Sequence, residues 1–381
     1  MAAGADDRSD ARWSAGAQVR ALVLEEPRRL EARRLPVPAI GDDDGVLRIE
    51  ACGLCGTDHE QFTGGIRVAG PFVPGHEIVG VVEDVGSSAA ERWGVAAGER
   101  VAIVPFQACR ACAPCLAGDH RHCERHGLPE FYGAIPVDRA PGLWGGYAEA
   151  AYLGPDALLL PVPERLDPVL ATVFNPLGAG IQWAAQLPAT EPGAVVAVLG
   201  PGIRGLCAAA AAKDAGAGFV LVTGLGPRDA ERLALAPQFG ADLAVDVASS
   251  NPVRELRQAT GRRGADVVVD VTANAPAAFG QAIDLARPGG TVVVAGMRGF
   301  AAVDGFVPDL IVAKELRVLG ALGVDAAAYR AAFDLLVAGS WPFADLPRRC
   351  AGFDDTAGLL RSMAGDPGAA PPPVHGVFVP G

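Results

Sequence analysis

No stretch of the 381 residues approaches the ~20 consecutive apolar residues that a membrane helix needs; the longest uncharged apolar runs, such as 193–203, fall far short. The first nineteen residues, MAAGADDRSDARWSAGAQV, carry charges throughout and hold no apolar core, so they read as a frayed tail and not as a secretory signal. Basic clusters are missing too. The net charge is −12, and the basic residues, nearly all arginine, are scattered. Phosphate backbones and acidic membrane surfaces reward a basic face, so neither nucleic acid nor membrane is expected as a partner. Disorder is equally excluded, because half of the residues are apolar and only a fifth are charged. What remains is a cytoplasmic globular protein, long enough to divide into two domains. The cytosol keeps thiols reduced, so clustered cysteines there favour a metal over a disulfide.

The apolar patterning changes character along the chain. Before residue 190, short strand-like runs at 20–24, 45–51, 78–85, 100–104 and 147–153 are separated by glycine and proline. From 194 to 319, nearly wholly apolar runs at 195–199, 219–223, 243–245, 266–271, 291–295 and 316–319 alternate with segments of helical length. Six such units predict an α/β domain whose parallel sheet is covered on both faces, a doubly wound Rossmann arrangement. A helix over 326–338, a proline-rich loop at 367–373 and a strand over 374–379 follow.

The first run of that second region leads into Gly200-Pro201-Gly202-Ile203-Arg204-Gly205. A G-x-G-x-x-G sequence is weak evidence alone, and a βα turn without a ligand would also accommodate it. Here it follows a buried strand and opens an alanine-rich helix, where the glycines allow a tight turn, a close approach to pyrophosphate, and helix–strand packing. The helix N-terminus then offers free N–H groups to phosphate. The same nucleotide would be lined by Val271, Thr272, Ala295 and Gly296, which end the fourth and fifth runs. The acidic residue expected at the end of the second run, for the ribose hydroxyls, is absent. Thr223 and Gly224 stand there, with Arg228 and Arg232 shortly after. That exchange suits a 2′-phosphate, but both arginines would also be at home as solvated helix charges, and NAD and NADP stay equally open.

Cys109, Cys112, Cys115 and Cys123 follow the spacing C-x2-C-x2-C-x7-C. Four thiolates in one loop can close the tetrahedral shell of structural zinc. Ferredoxin-type clusters begin in the same way but end C-x3-C-Pro, whereas here the last gap is longer and Glu124 follows. With four sulfurs saturating the ion, His120, His122 and His126 are expected to face solvent. A second constellation is looser: Gly53-Leu54-Cys55-Gly56-Thr57-Asp58, then Gly75-His76-Glu77.

Taken in order, these motifs resemble the zinc-containing medium-chain dehydrogenase/reductase family of alcohol, polyol and threonine dehydrogenases. The resemblance runs from about residue 19 to the end. It implies a disordered tail at 1–18, a GroES-like β-rich catalytic domain at 19–176, a Rossmann domain at 177–321 and a C-terminal return to the first domain at 322–381. It also implies that Cys55 and His76 hold a catalytic zinc, that Thr57 relays a proton, that Asp58 orients His76 and that Glu77 approaches the metal. The four lobe cysteines then hold a structural zinc. The implied reaction is hydride transfer between nicotinamide and an alcohol or carbonyl held at zinc, in a dimer or tetramer acting on a small molecule. Three positions depart from the pattern. Asn175 stands where a third zinc ligand, Cys or Glu, is usual; Glu60 replaces the relay histidine; and Thr223-Gly224 replaces the acidic residue. With Asn175 as third ligand the zinc would keep about one net positive charge, which Glu77 could cancel. A zinc-free enoyl or quinone reductase, and a non-catalytic NAD(P)-binding redox sensor, are the rival readings. The segment 128–143, with Phe131 and Tyr132, suits either a pocket wall or a surface excursion.

Overall fold

The computed structural model describes residues 12–261 and 264–381. They form two units. One runs through Val173 and resumes at Pro347–Gly381, and the other is Phe174–Leu346. Among the described residues, no helix is long and apolar enough to cross a membrane.

The first unit is β-rich. Strands are numbered along the chain. β1 (Gln18–Glu26) pairs antiparallel with β2 (Arg29–Pro36). The main sheet joins β3 (Gly45–Leu54), β4 (Glu77–Val85), β5 (Arg100–Ile103) and β7 (Leu159–Pro161), while β6 (Ala150–Leu153) also pairs with β3. The C-terminal strands β14 (Arg348–Ala351) and β15 (His375–Phe378) return to this sheet, β15 lying beside β3. Alternation drives the packing: Leu47, Ile49, Ile78, Val82, Val101 and Ile103 share one buried core. Each such side chain contributes roughly 1.5–3 kcal/mol on leaving water. The charged strand β2 lacks an apolar face, and its sequence gives no strand signal; pairing with β1 alone makes it one.

The second unit is a six-stranded parallel sheet in the order β10-β9-β8-β11-β12-β13. Its strands are β8 (Val195–Leu199), β9 (Phe219–Gly224), β10 (Leu243–Asp246), β11 (Ala265–Asp270), β12 (Ala286–Val294) and β13 (Arg317–Gly320). All five residues of β8 are buried, as a central strand covered on both faces requires. The helix Ile203–Asp214 packs through Ala208, Ala209 and Ala210. A Cβ on Gly180 would meet the backbone of Cys207, so helix Phe174–Ile181 crosses this helix at glycine distance.

Two expected boundaries move. The helix Ala326–Ala338 belongs to the second unit, where Phe333 stacks on Phe174 at 5.4 Å and Tyr329 meets the same ring at 5.1 Å. The return to the first unit therefore begins at Pro347 and not at 322. The expected tail at 1–18 lies outside the described residues up to 11. Beyond them, Gly16 N donates to Val37 O at 2.8 Å and Trp13 packs beside Val19 and Val37. Aromatic burial orders this segment despite its charged surroundings.

Candidate active site and metal centres

Strand β3 ends at Leu54, and Cys55 caps the helix Gly56–Thr63 in an extended conformation. Asp58, three residues into that helix, reaches back so that its Oδ2 accepts from Cys55 N at 2.7 Å. Its Oδ1 accepts from Gly75 N at 3.2 Å, which ties the Cys55 turn to the Gly75-His76-Glu77 segment. Gly75 has φ +92°, and a Cβ there would stand 2.7 Å from the Tyr147 ring and 2.9 Å from Cys52 Sγ. Only glycine meets both demands. His76 follows, its ring edge-on to Phe131 at 5.8 Å. Its Nδ1 lies 3.6 Å from Asp58 Oδ1, longer than a hydrogen bond, and has no partner among the described residues. Glu77 opens β4 opposite Gly53, and its carboxylate occupies the place a Cβ on Gly53 would take.

Candidate ligand atoms of Cys55, His76 and Glu77 all lie within 4.8 Å of one another, and all three residues are buried. The donor set itself tests the fit. A buried carboxylate gathered beside a buried thiol and a buried imidazole is costly unless a cation shares the site. Sulfur, nitrogen and oxygen together are donors that zinc accepts. Thr57 Oγ1 stands 3.7 Å from Cys55 Sγ. Asn175 lies in the second unit, buried in helix Phe174–Ile181, where its Nδ2 donates to Tyr329 Oη at 3.1 Å.

The candidate ligand atoms of Cys109, Cys112, Cys115 and Cys123 also lie within 4.8 Å of one another. The lobe is half-prepared for an ion. Backbone N–H groups of Ala111 and Cys112 pull the Cys109 thiol down to about 6, whereas burial pushes Cys115 up to about 12. His126 does not face solvent as expected: its Nδ1 meets Glu130 Oε2 and its Nε2 meets Asp156 Oδ2, each at 2.8 Å. Two carboxylates hold the ring in place, and the 30-residue separation of Asp156 hid it from a local reading.

In the second unit the glycine turn follows β8. Gly200 has φ +99°, and a Cβ on Gly205 would overlap the carbonyl of Gly200. A Cβ on Gly202, which caps the helix Ile203–Asp214, would meet nothing within 4 Å. The turn is thus tight where the backbone packs and open where a pyrophosphate would approach, and it fits a dinucleotide. Gly296 is pressed against the Thr272 backbone, and a Cβ on Gly200 would stand 3.2 Å from the Thr272 methyl group. Thr223 is buried at the end of β9, while Arg228 is exposed in the turn Gly226–Asp229.

Comparison with known proteins settles the family. Residues 41–164 match the alcohol dehydrogenase GroES-like domain, and residues 205–338 match the zinc-binding dehydrogenase domain. A Mycobacterium tuberculosis (strain H37Rv) protein named as a probable alcohol dehydrogenase is 65% identical over 368 residues, covering 96% of this chain and 100% of its own. The chain belongs to the zinc-containing medium-chain alcohol dehydrogenase family. Sorbitol dehydrogenase of Bacillus subtilis is 32% identical over 283 residues, 73% of this chain and 75% of its own. Among solved structures, alcohol dehydrogenase TADH from Thermus sp. ATN1 aligns with TM-score 0.80 and 26% identity, over 95% of this chain and 100% of that one. A Sinorhizobium meliloti protein solved with NADP bound aligns with TM-score 0.77 and 29% identity, over 96% and 100%.

As a zinc-containing alcohol dehydrogenase, the chain has the two metal sites its motifs announced: four sulfurs in one lobe, and a mixed Cys–His–Glu set. Of the two alternatives left open for the 128–143 segment, Phe131 takes the place of a wall, edge-on to His76, while Tyr147, which no motif singled out, packs fully buried under Gly75. Burial, then the charge of Asp58, holds the Tyr147 hydroxyl well above the usual phenol range. A signal for Tyr147 was present, in the Gly145-Gly146-Tyr147 step that admits a large ring beside a tight turn.

Proposed function

We propose that the protein interconverts an alcohol and its aldehyde or ketone, with NADP as hydride acceptor and Cys55, His76 and Glu77 as the ligands of the catalytic zinc. The convergence of those three buried donors carries the reading. Zinc there supplies Lewis acidity that lowers the pKa of a substrate hydroxyl toward neutral. The chain's own residues do the rest. A thiolate and a carboxylate together balance the ion's two charges, which assigns the third position to Glu77 in preference to Asn175. Asp58, locked by Cys55 N and Gly75 N, faces His76 Nδ1 and fixes which imidazole nitrogen is left for the metal. Thr57, with its hydroxyl beside Cys55, takes the substrate proton outward. Gly200, Gly202, Ile203 and Gly205 receive the pyrophosphate, with Val271, Thr272, Ala295 and Gly296 lining the same nucleotide.

NADP is favoured over NAD because the end of β9 offers no free carboxylate. Asp229 Oδ2 already accepts from Leu225 N and its Oδ1 from Arg232, while Asp246 Oδ1 caps Gly226 N. The guanidinium of Arg228 is exposed beside them. A homo-oligomer accords with the free edge of the parallel sheet, where Val318 on β13 and nearby Val312 and Leu322 are exposed. A cytoplasmic setting accords with eight cysteines that form no disulfide.

The decisive experiment is metal analysis of wild type and Cys55→Ser, paired with an alcohol panel using both cofactors. Wild type is expected to hold about two zinc ions per chain and the variant about one, folded but inactive. One zinc in wild type, with activity indifferent to the substitution, would transfer the protein to the zinc-free reductases.

A further inference from the structure

A buried ion pair that no motif flagged lies at the carboxyl ends of β11 and β12. Asp270, the last residue of β11, is completely buried, and Arg298 Nη2 donates to its Oδ2 from the loop after β12. The Arg298 side chain is only 10% exposed. The other carboxylate oxygen accepts from Thr272 N at 3.0 Å and from Thr272 Oγ1 at 2.6 Å. The Asp270 carbonyl accepts from Ala295 N at 2.9 Å and Gly296 N at 3.0 Å. Arg298 Nη1 closes the ring by donating to Gly296 O at 2.7 Å. Thr272 is thus tied to the carboxylate and Gly296 to its arginine, while Ala295 and Gly296 both hang on the Asp270 backbone carbonyl.

Two observations say that this pair is not there for stability alone. Burial raises the Asp270 carboxyl above its ordinary range in spite of Thr272 and Arg298, so desolvation is not fully offset. Arg298 Nε is also buried without a partner among the described residues, an expense a purely structural pair would avoid.

Its position says what it serves. The Gly200 turn follows β8, with β9 on one side of that strand and β11 then β12 on the other. A dinucleotide laid across the strand ends places its pyrophosphate at this turn and its adenosine ribose at the end of β9. The other half must then meet the ends of β11 and β12. We propose that Asp270 and Arg298 are positioning residues for the nicotinamide half of the cofactor, holding the 270–272 and 295–298 segments in the shape that receives it. This rests on the cofactor reading above.

The test uses full-length protein and fluorescence titration with NADPH, or with NADH if wild type binds that more tightly. The adenosine-side fragment, 2′,5′-ADP or ADP, serves as the competing ligand. Arg298→Met is expected to weaken dinucleotide binding about tenfold or more while fragment affinity stays within about twofold. The KM for the cofactor rises in parallel, and Arg298→Lys recovers part of the loss. Because Arg298→Met strands a buried carboxylate, the double variant Asp270→Asn with Arg298→Met covers the case in which the single one does not fold. Unchanged dinucleotide binding in the folded variants overturns the proposal, as does a parallel loss of fragment binding, which would mean general loosening of the sheet. Wild type that binds neither dinucleotide would instead sink the cofactor reading, and this inference with it.

Discussion

The two metal clusters are built on opposite plans. The lobe draws four identical donors from fifteen consecutive residues, whereas the catalytic set draws three different donors from the ends of two strands, brought together by Asp58. A cluster of the first kind needs only its loop, and it saturates its ion. One of the second kind needs a whole sheet in register, and its three protein donors leave the zinc a position for substrate. The lesson is that number and variety of donors, more than burial, separate a metal that holds structure from one that does chemistry.

The comparison can be broken most directly from the lobe. Cys112→Ser is expected to remove one zinc per chain and open the 105–127 segment to limited proteolysis, while the catalytic zinc remains. Metal counts that fall to zero would show the two clusters to be one cooperative system. Asp58→Asn comes next. It should lower zinc affinity at Cys55 and His76 by about 10- to 100-fold and spare the lobe, as chelator competition would reveal. Smaller again is an effect of pH. His375, buried on β15 with Nε2 3.4 Å from Thr172 Oγ1, has its pKa pushed down to about 3 by burial and then by Arg348. The folded state therefore binds fewer protons than the unfolded chain between about pH 6.5 and 3, and stability falls as the pH drops through that window. Denaturation at pH 7 and pH 5 should show a loss of about 2 kcal/mol that His375→Gln largely abolishes. A pH response identical in that variant would remove His375 from the account. The smallest effect concerns the cofactor: Arg228→Ala should reduce the NADPH-over-NADH preference several-fold, read as a ratio of kcat/KM, through loss of one exposed charge contact.

Local patterns were legible; long-range ones were not. The parallel strands could be read because a strand buried on both faces is almost uniformly apolar, as Val195–Leu199 is. Lobe and glycine turn were legible because their chemistry is set by spacing within one loop. His126 was misjudged because Asp156, which fixes it, is distant in the chain. The start of the C-terminal return was misplaced because the packing of Phe333 on Phe174 cannot be read from either segment alone. Strand β2, with five of its eight residues charged or proline, is a strand only because β1 pairs with it. At the catalytic set, the motifs held the three donors that converge, while the aromatic wall of Phe131 and the support of Tyr147 depended on the folded sheet.

Gly53 stands directly across from Glu77 in the β3–β4 ladder. Side chains alternate faces along a strand, so sliding either strand by one residue would turn the carboxylate away from Cys55 and leave the site with two donors. This strand pair acts as a caliper for the metal. Redesign for new substrates should leave its length untouched and work through the loops, because a single insertion between Gly45 and Leu54 would cost the ion before it altered any pocket.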